Sequence, residues 1–356
     1  MAKSKKPVVP FQEVLAQLLD NQRPFPPYHL HRFSDLAGND LAQFKAAWPK
    51  VGAKRRLSLM EDLEELAEND TLVSFDEIAK FALKDSDARV RAVALRSLWE
   101  CEDRKLIPIF LEMLQKDADE VVRATAAAAL GAFVYQGELE ELPEEILRKI
   151  EEALLAVQQG KDVDLVRRRA LEALGYSSRA EVPTLLQQAL ASQDKEWVAS
   201  ALFAIGRSAD NRWEQSVLRY LNAPEIEVQL EAVRAAGQLE LEAAREGLLS
   251  KLPAEAETDE DVLFAAVWSL SQIGGEDVRP ALEKMLEETE DEDEAELIET
   301  ALDNLAFTED VSGYGLFDFG GGGKEENTRI IDLSNLGDED DDDDEPGDNG
   351  RKVSRN

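Results

Sequence analysis

The sequence predicts an all-α chain. It reads as a right-handed α-solenoid of about seven to eight stacked helix pairs, followed by a disordered acidic tail. Three observations predict it. A ten-residue phrase, V-R-x-x-A-x-x-A-L-G, recurs along the chain, as in "VRATAAAALG" (122–131) and "VRRRALEALG" (166–175). Its first position falls at Val90, Val122, Val166, Trp197, Val228, Val262 and Leu297, at intervals of 31 to 44 residues. A second apolar segment follows most of these phrases. Self-similarity at such a period marks a stack of supersecondary units, because one helix pair cannot bury its own apolar face.

Each element follows from local chemistry. "FQEVLAQLLD" (11–20) is a short amphipathic helix, and "RPFPPYHLHRFSDL" (23–36) is proline-rich and irregular. Residues 1–50 are therefore a basic, capping segment, with Phe44, Trp48, Leu59 and Leu63 expected to close the end of the core. Residues 51–307 form the repeat array. Phrase positions 1, 5, 8 and 9 share one helix face, and the alanine at position 5 lets neighbouring helices approach. The second segments, such as "LIPIFLEML" (106–114) and "EVPTLLQQAL" (181–190), begin with Pro108, Pro183 and Pro280 in their first turns, where a missing N–H costs nothing. Gly131, Gly175, Gly206 and Gly274 stand where left-handed helix caps are expected. The 44-residue interval holds "YQGELEELPEEILRKIEEALLAVQQGKD" (135–162), read as a longer loop plus a longer helix. Residues 308–356 are the tail, with four glycines at 320–323 and eight consecutive acids at 338–345. Such a charge block repels itself. Between them, "TRIIDLSNL" (328–336) places Arg329, Ile330, Ile331, Leu333 and Leu336 as a candidate docking motif.

The pattern "LQKDADEVVRATAAAALG" (114–131) resembles a HEAT repeat, of the short kind also seen in phycobilin-lyase-like proteins. The resemblance implies that a turn aspartate and the second-position arginine bond along the stack. Asp85 with Arg91 and Asp117 with Arg123 match it. Val198, Gln229 and Leu263 replace the arginine in later units, so such a ladder is confined to the first half. As exposed links, its members would each contribute under about 1 kcal/mol.

Charge bounds the function. The net charge is −35, distributed as +6 over residues 1–56, −31 over 57–307 and −10 over 308–356. An acidic body repels phosphate backbones, which excludes nucleic acid as a partner. No apolar run approaches a membrane span, and "MAKSKKPVVP" has no apolar core behind its lysines, so no secretory signal is expected. A single cysteine, Cys101, fits a reducing, cytoplasmic setting.

No catalytic constellation emerges. His29 and His31 stand two apart without carboxylate or thiol company, a spacing that suggests surface histidines. HEAT-like hydroxylases hold iron through His-Glu dipeptides, and here Leu30 and Arg32 follow the histidines. Cys101 reads as a small core residue. No metal, cofactor or enzyme activity is expected. The resemblance further implies that phrase positions 3 and 7 face a concave groove, which brings Arg96, Arg168, Phe203, Arg234, Phe264 and Trp268 to one side. Arg207, Arg212 and Trp213 follow a helix end beside them. Arginine and aromatic rings anchor interfaces, and they also fill cores and cap helices. The favoured function is a non-enzymatic scaffold that binds one protein partner in the groove, tuned by the acidic tail, which could itself contact the groove. The alternatives are a phycobilin-lyase-like or other accessory subunit, and a chaperone-like binder of basic proteins.

Overall fold

The computed structural model describes residues 9–253, 256 and 258–313, with 308–313 as backbone only. The chain divides into two units, 1–313 and 314–356. The second unit, with the whole candidate tail motif and any contact it makes, lies outside the described residues.

The described residues contain α-helices and short 3-10 turns and no strand. The chain opens with α1 (Phe11–Leu19), a 3-10 helix (Pro27–Phe33) and α2 (Gly38–Ala47). This segment is an aromatic cap. Phe33 stacks at 5.8 Å on each of Phe11, Phe25 and Phe44, and Phe44 lies 5.1 Å from Trp48. Phe44, Trp48, Leu59 and Leu63 are all buried. The proline-rich stretch is more ordered than its composition suggests. Pro26 and Pro27 preset the backbone angle that starts a helix, and the turn then buries His29, Leu30 and Phe33. His29 is thus no surface residue: it is 3% exposed, packed 4.3 Å from Tyr28 and 6.1 Å from Phe25.

The repeats follow as α3 (Ala53–Asn69), α4 (Asp76–Ala82), α5 (Ala88–Arg96), α6 (Leu106–Lys116), α7 (Glu120–Glu138) and α8 (Glu144–Gln158). Next come α9 (Asp164–Ala173), α10 (Val182–Leu190), α11 (Lys195–Gly206), α12 (Glu214–Tyr220) and α13 (Ile226–Gln238). The array ends with α14 (Arg245–Leu249), α15 (Glu260–Ile273), α16 (Val278–Glu288) and α17 (Glu292–Gly313). The odd-numbered helices from α5 onward carry the phrase. They stack on one another in chain order, starting from α3, and each even helix packs on the odd helix that follows it. Val90, Ala94, Val122, Ala126, Val166, Ala170, Ala201, Ala232, Val262 and Ala266 are fully buried at the phrase positions that face the neighbours. None of the described helices is long and apolar enough to cross a membrane.

Two expectations change. The extra residues of the 44-residue interval lengthen both helices, α7 to 19 residues and α8 to 15, and the turn between them spans only 139–143. The phrase glycines are packing residues rather than caps; only Gly274 has a positive φ, of 66°. A Cβ on Gly131 would lie 3.3 Å from Ala173 Cα, and one on Gly206 would lie 3.1 Å from Ala235 Cα. On Gly175 it would meet Ala204 O at 2.6 Å, and on Gly237 it would meet Ser269 Cα at 2.7 Å. Each glycine admits the next odd helix. Left-handed positions fall instead on Ala209 (φ 48°), three residues past α11, and on Glu140 (φ 61°) and Glu240 (φ 50°), just past α7 and α13. There the N–H of Glu141 reaches Gln136 O, and that of Leu241 reaches Ala236 O, closing the helix ends.

The aspartate–arginine ladder is present and sheltered. Arg91 donates to both carboxylate oxygens of Asp117, at 2.9 and 2.7 Å, and Arg123 to both of Asp162, at 2.8 and 2.6 Å. The six-residue pairing inside each unit runs through the backbone: Arg91 donates to Asp85 O and Arg123 to Asp117 O, at 2.8 and 2.9 Å. Arg56 starts the chain of links 3.0 Å from Asp85, which also accepts from Trp48 Nε1. Side-chain exposures of 10 to 21% along Arg91–Asp117 and Arg123–Asp162 remove these links from the class of exposed pairs. In α9 the pattern ends: Arg167 turns to Gln158 O and Asp164.

Candidate partner-binding face

On each odd helix the core positions leave a stripe at phrase positions 3, 4, 7 and 11, one turn apart. On α9 and the turn after it the stripe reads Arg168, Arg169, Glu172, Tyr176. On α11 it reads Ser200, Phe203 and Arg207, on α13 Glu231 and Arg234, and on α15 Phe264 and Trp268. Stacking of the odd layer sets these stripes side by side.

Arg207 is the centre of the patch. Its guanidinium lies 3.9 Å from the Phe203 ring centre and 5.0 Å from that of Tyr176. Tyr176 stands 5.0 Å from the half-open ring of Tyr135. Burial pulls the Arg207 pKa down, while the carboxylates of Glu172 and Glu231 act in the other direction. Glu172 is 5% exposed. It accepts from Ser200 Oγ at 2.6 Å and from Arg169 Nη1 at 2.5 Å. Glu231 accepts from Arg234 Nη1 at 2.9 Å, but its other oxygen is sealed off without a hydrogen-bond partner. Burial pushes Glu231 up, against the charges of Arg234 and Arg207.

The remaining candidates divide. Trp268 is 39% exposed, and Phe203 and Phe264 are half-buried. Arg234 is half-open. Arg168 is committed to Glu196 of α11. Arg96 pairs through both nitrogens with Glu64 of α3, at 2.8 and 2.6 Å, well along the stack from Arg207. Arg212 pairs with Asp210 in an exposed turn, where Asp210 also caps its N–H. Trp213 is 4% exposed. It fills the core between units, so it belongs to packing and not to an open face. Sequence reading missed Arg169, Glu172, Tyr176 and Glu231. Continuing the same stripe to position 11 finds Tyr176. Nothing in its local sequence marks Glu172 as buried; Ser200 and Arg169 supply the hydrogen bonds that offset that burial.

Elsewhere the chemistry is sparse. Cys101 is partly buried, and burial raises its thiol pKa. Among the described residues no group of three or more His, Cys, Asp or Glu is placed to hold a metal ion.

Comparison with known proteins fits this architecture. The model of HEAT repeats matches residues 75–175 and 214–303, more than half of the chain. The unmatched stretch between them is the α10–α11 unit, which carries Phe203 and Arg207. Among solved structures, the chain is similar to Escherichia coli YibA at 19% identity, covering 85% of this chain and 99% of that one, with a TM-score of 0.38. Human deoxyhypusine hydroxylase is similar at 18% identity over 83% of this chain and 97% of that one, TM-score 0.34. Kap95p, solved with RanGDP, is similar at 11% identity over 86% and 47%, TM-score 0.42. No curated protein matches the sequence. The repeated phrase, the stacked pairs and the sheltered Asp–Arg links all agree with that family match, and the chain belongs to the HEAT-repeat proteins.

Proposed function

We propose that this protein is a non-enzymatic scaffold that binds one protein partner on the odd-layer face of α9, α11, α13 and α15. The observation that carries the reading is the stripe itself. Arg234 and Trp268 stand half-open along it, beside the half-buried Phe203, Arg207 and Phe264. These residue types supply large contact area and several hydrogen bonds at low entropic cost. The strongly acidic body supports a protein partner over a nucleic acid. The run of eight acids at 338–345 tunes capture through charge, a contribution that falls as salt screens it.

The test is capture from source-cell lysate by the full-length protein, beside a Trp268→Ala/Arg234→Ala variant. A partner that binds at high salt, is lost with the variant, and protects α11, α13 and α15 from hydrogen exchange is the expected result. A partner that the double variant retains in full, or one whose protection maps to the even helices, sinks the reading.

A further inference from the structure

We propose that Arg207 is the receptor for a carboxylate: an acidic side chain carried inside a polypeptide partner and flanked by apolar residues. The proposal rests on the protein-binding reading above and names the chemistry the partner must bring.

The first observation is an unmet cation. Among the described residues, the Arg207 side chain makes no hydrogen bond and has no carboxylate within ion-pair distance, only its two ring contacts. The other arginines of α9 and α13 are all engaged: Arg167 with Asp164, Arg168 with Glu196, Arg169 with Glu172, and Arg234 with Glu231. The chain has 75 acidic residues against 40 basic ones. Elsewhere among the described residues Arg32 and Arg219 also lack an acid, and Arg55, Arg104 and Arg245 bond only backbone carbonyls; on the stripe of α9, α11 and α13, Arg207 is the one arginine without an acid. It is also half-hidden, and desolvation already works against its charge. A cation partly withdrawn from water without an acceptor carries a desolvation cost that an arriving acceptor offsets.

The second observation is that its two nearest acids are already held. Glu172 is fixed by Arg169 and Ser200, and Glu231 by Arg234. Arg169, Arg207 and Arg234 against Glu172 and Glu231 leave one positive charge in excess. That excess matches a single carboxylate. A polyanion would meet the −31 of the repeat body and be repelled.

The third observation is the group itself. The Arg207 guanidinium lies 3.9 Å from the Phe203 ring centre, and a guanidinium held against a ring keeps in-plane N–H groups that match a two-oxygen acceptor. Carboxylate is the protein group of that shape. Phe203 and Tyr176 supply apolar surface against the guanidinium, and the open Trp268 ring stands further along the stack on α15. The site also falls in the α10–α11 unit, outside the stretches that match the repeat model.

The experiment pans a random peptide library displayed on phage against the full-length protein. The peptides are joined to the coat protein through their C-termini, so only side-chain carboxylates are offered. Arg207→Gln and Glu231→Gln are panned in parallel, with circular dichroism to establish that each is folded. The expected result is recovery of peptides with a fixed Asp or Glu between apolar residues. Their affinity should fall about tenfold or more in Arg207→Gln, the size of a lost charged hydrogen-bond pair. It should rise by roughly threefold in Glu231→Gln, which removes a like charge beside the ligand. Recovered peptides without a fixed acid overturn the proposal and leave the scaffold reading standing. An acidic motif indifferent to Arg207→Gln overturns it as well. Recovery of no peptide overturns both. If Arg207→Gln does not fold, Glu231→Gln decides, and an unchanged affinity there refutes the site.

Discussion

The two halves of the array are closed by different devices. From α3 to α9, successive units are tied by charge: Arg56 to Asp85, Arg91 to Asp117, Arg123 to Asp162. From α7 to α15, they are tied by close approach, as Gly131, Gly175, Gly206 and Gly237 each admit the backbone of the next odd helix. The aspartate–arginine ladder itself overlaps the glycine contacts only at the α7–α9 junction, and beyond it the ion pairs between units are single ones, Arg168 with Glu196 and Lys195 with Glu227. Where the arginine gives way to Val198, Gln229 and Leu263, the glycines keep the stack tight. One repeat fold thus tolerates the loss of a recurring link because apolar packing between small residues carries the register by itself. The second half is then free to spend its arginines on the open face.

The largest expected effect breaks the close approach. Gly175→Ala places a methyl group 2.6 Å from Ala204 O and 2.8 Å from Ala204 Cα, both backbone atoms that cannot rotate away. We expect a loss of about 3 kcal/mol in urea unfolding. Hydrogen exchange should quicken first in α9 and α11, and a variant as stable as the parent would refute the packing role.

Next comes the ladder. Asp117→Ala leaves Arg91 without its carboxylate and should cost about 2–3 kcal/mol, with faster exchange confined to α5 and α7. Acid should mimic it in part. The hydrogen bonds from Arg123 hold Asp162 below its ordinary 3.8. Burial alone would raise Asp117, but its bonds to Arg91 and to the Asp119 N–H, with the nearby arginine charges, bring it below that value too. Stability from a depressed carboxylate is complete above the unfolded value and is lost as pH falls through the folded one. Glu231 has the opposite sign: burial raises it above 4.5, so its ionised form is a penalty that protonation relieves. Lowering the pH from 5 toward 3 should therefore reduce exchange protection in α5 and α7 more than in α13, once rates are corrected for intrinsic pH dependence. Equal losses in both halves would remove the distinction.

The smallest effect sharpens the helix ends. Glu240 adopts φ 50°, a conformation that glycine adopts without penalty. Glu240→Gly should raise stability by about 0.5–1 kcal/mol, read as a small increase in the unfolding midpoint. A decrease would mean that the Glu240 side chain contributes more than its backbone costs.

Much of this molecule was legible as a linear pattern. Val and Ala at fixed phrase positions located every odd helix from α5 to α17, because helical periodicity is a local property with a period of 3.6 residues. Asp85, Asp117 and their arginines were legible as partners, though the bond that matters runs to the next unit, where sequence spacing varies from 26 to 39 residues. The short α14, the ordered proline-rich turn and buried His29 were not legible. Each depends on the aromatic or apolar surface that another segment supplies. The face shows the same division. Phe203, Arg234 and Trp268 could be placed by spacing alone, whereas Trp213 and Arg212 were sorted out of the stripe only by burial and by a local turn.

By itself, then, the sequence determined the repeat, the helix class, the charge and the reach of the ladder, all of which are written at short range. The tertiary structure decided which glycines are contacts, which acids are buried, and that Arg207, unlike the arginines of α9 and α13, lacks an acid. Those outcomes depend on distances between helices 30 or more residues apart, and no local pattern encodes a distance.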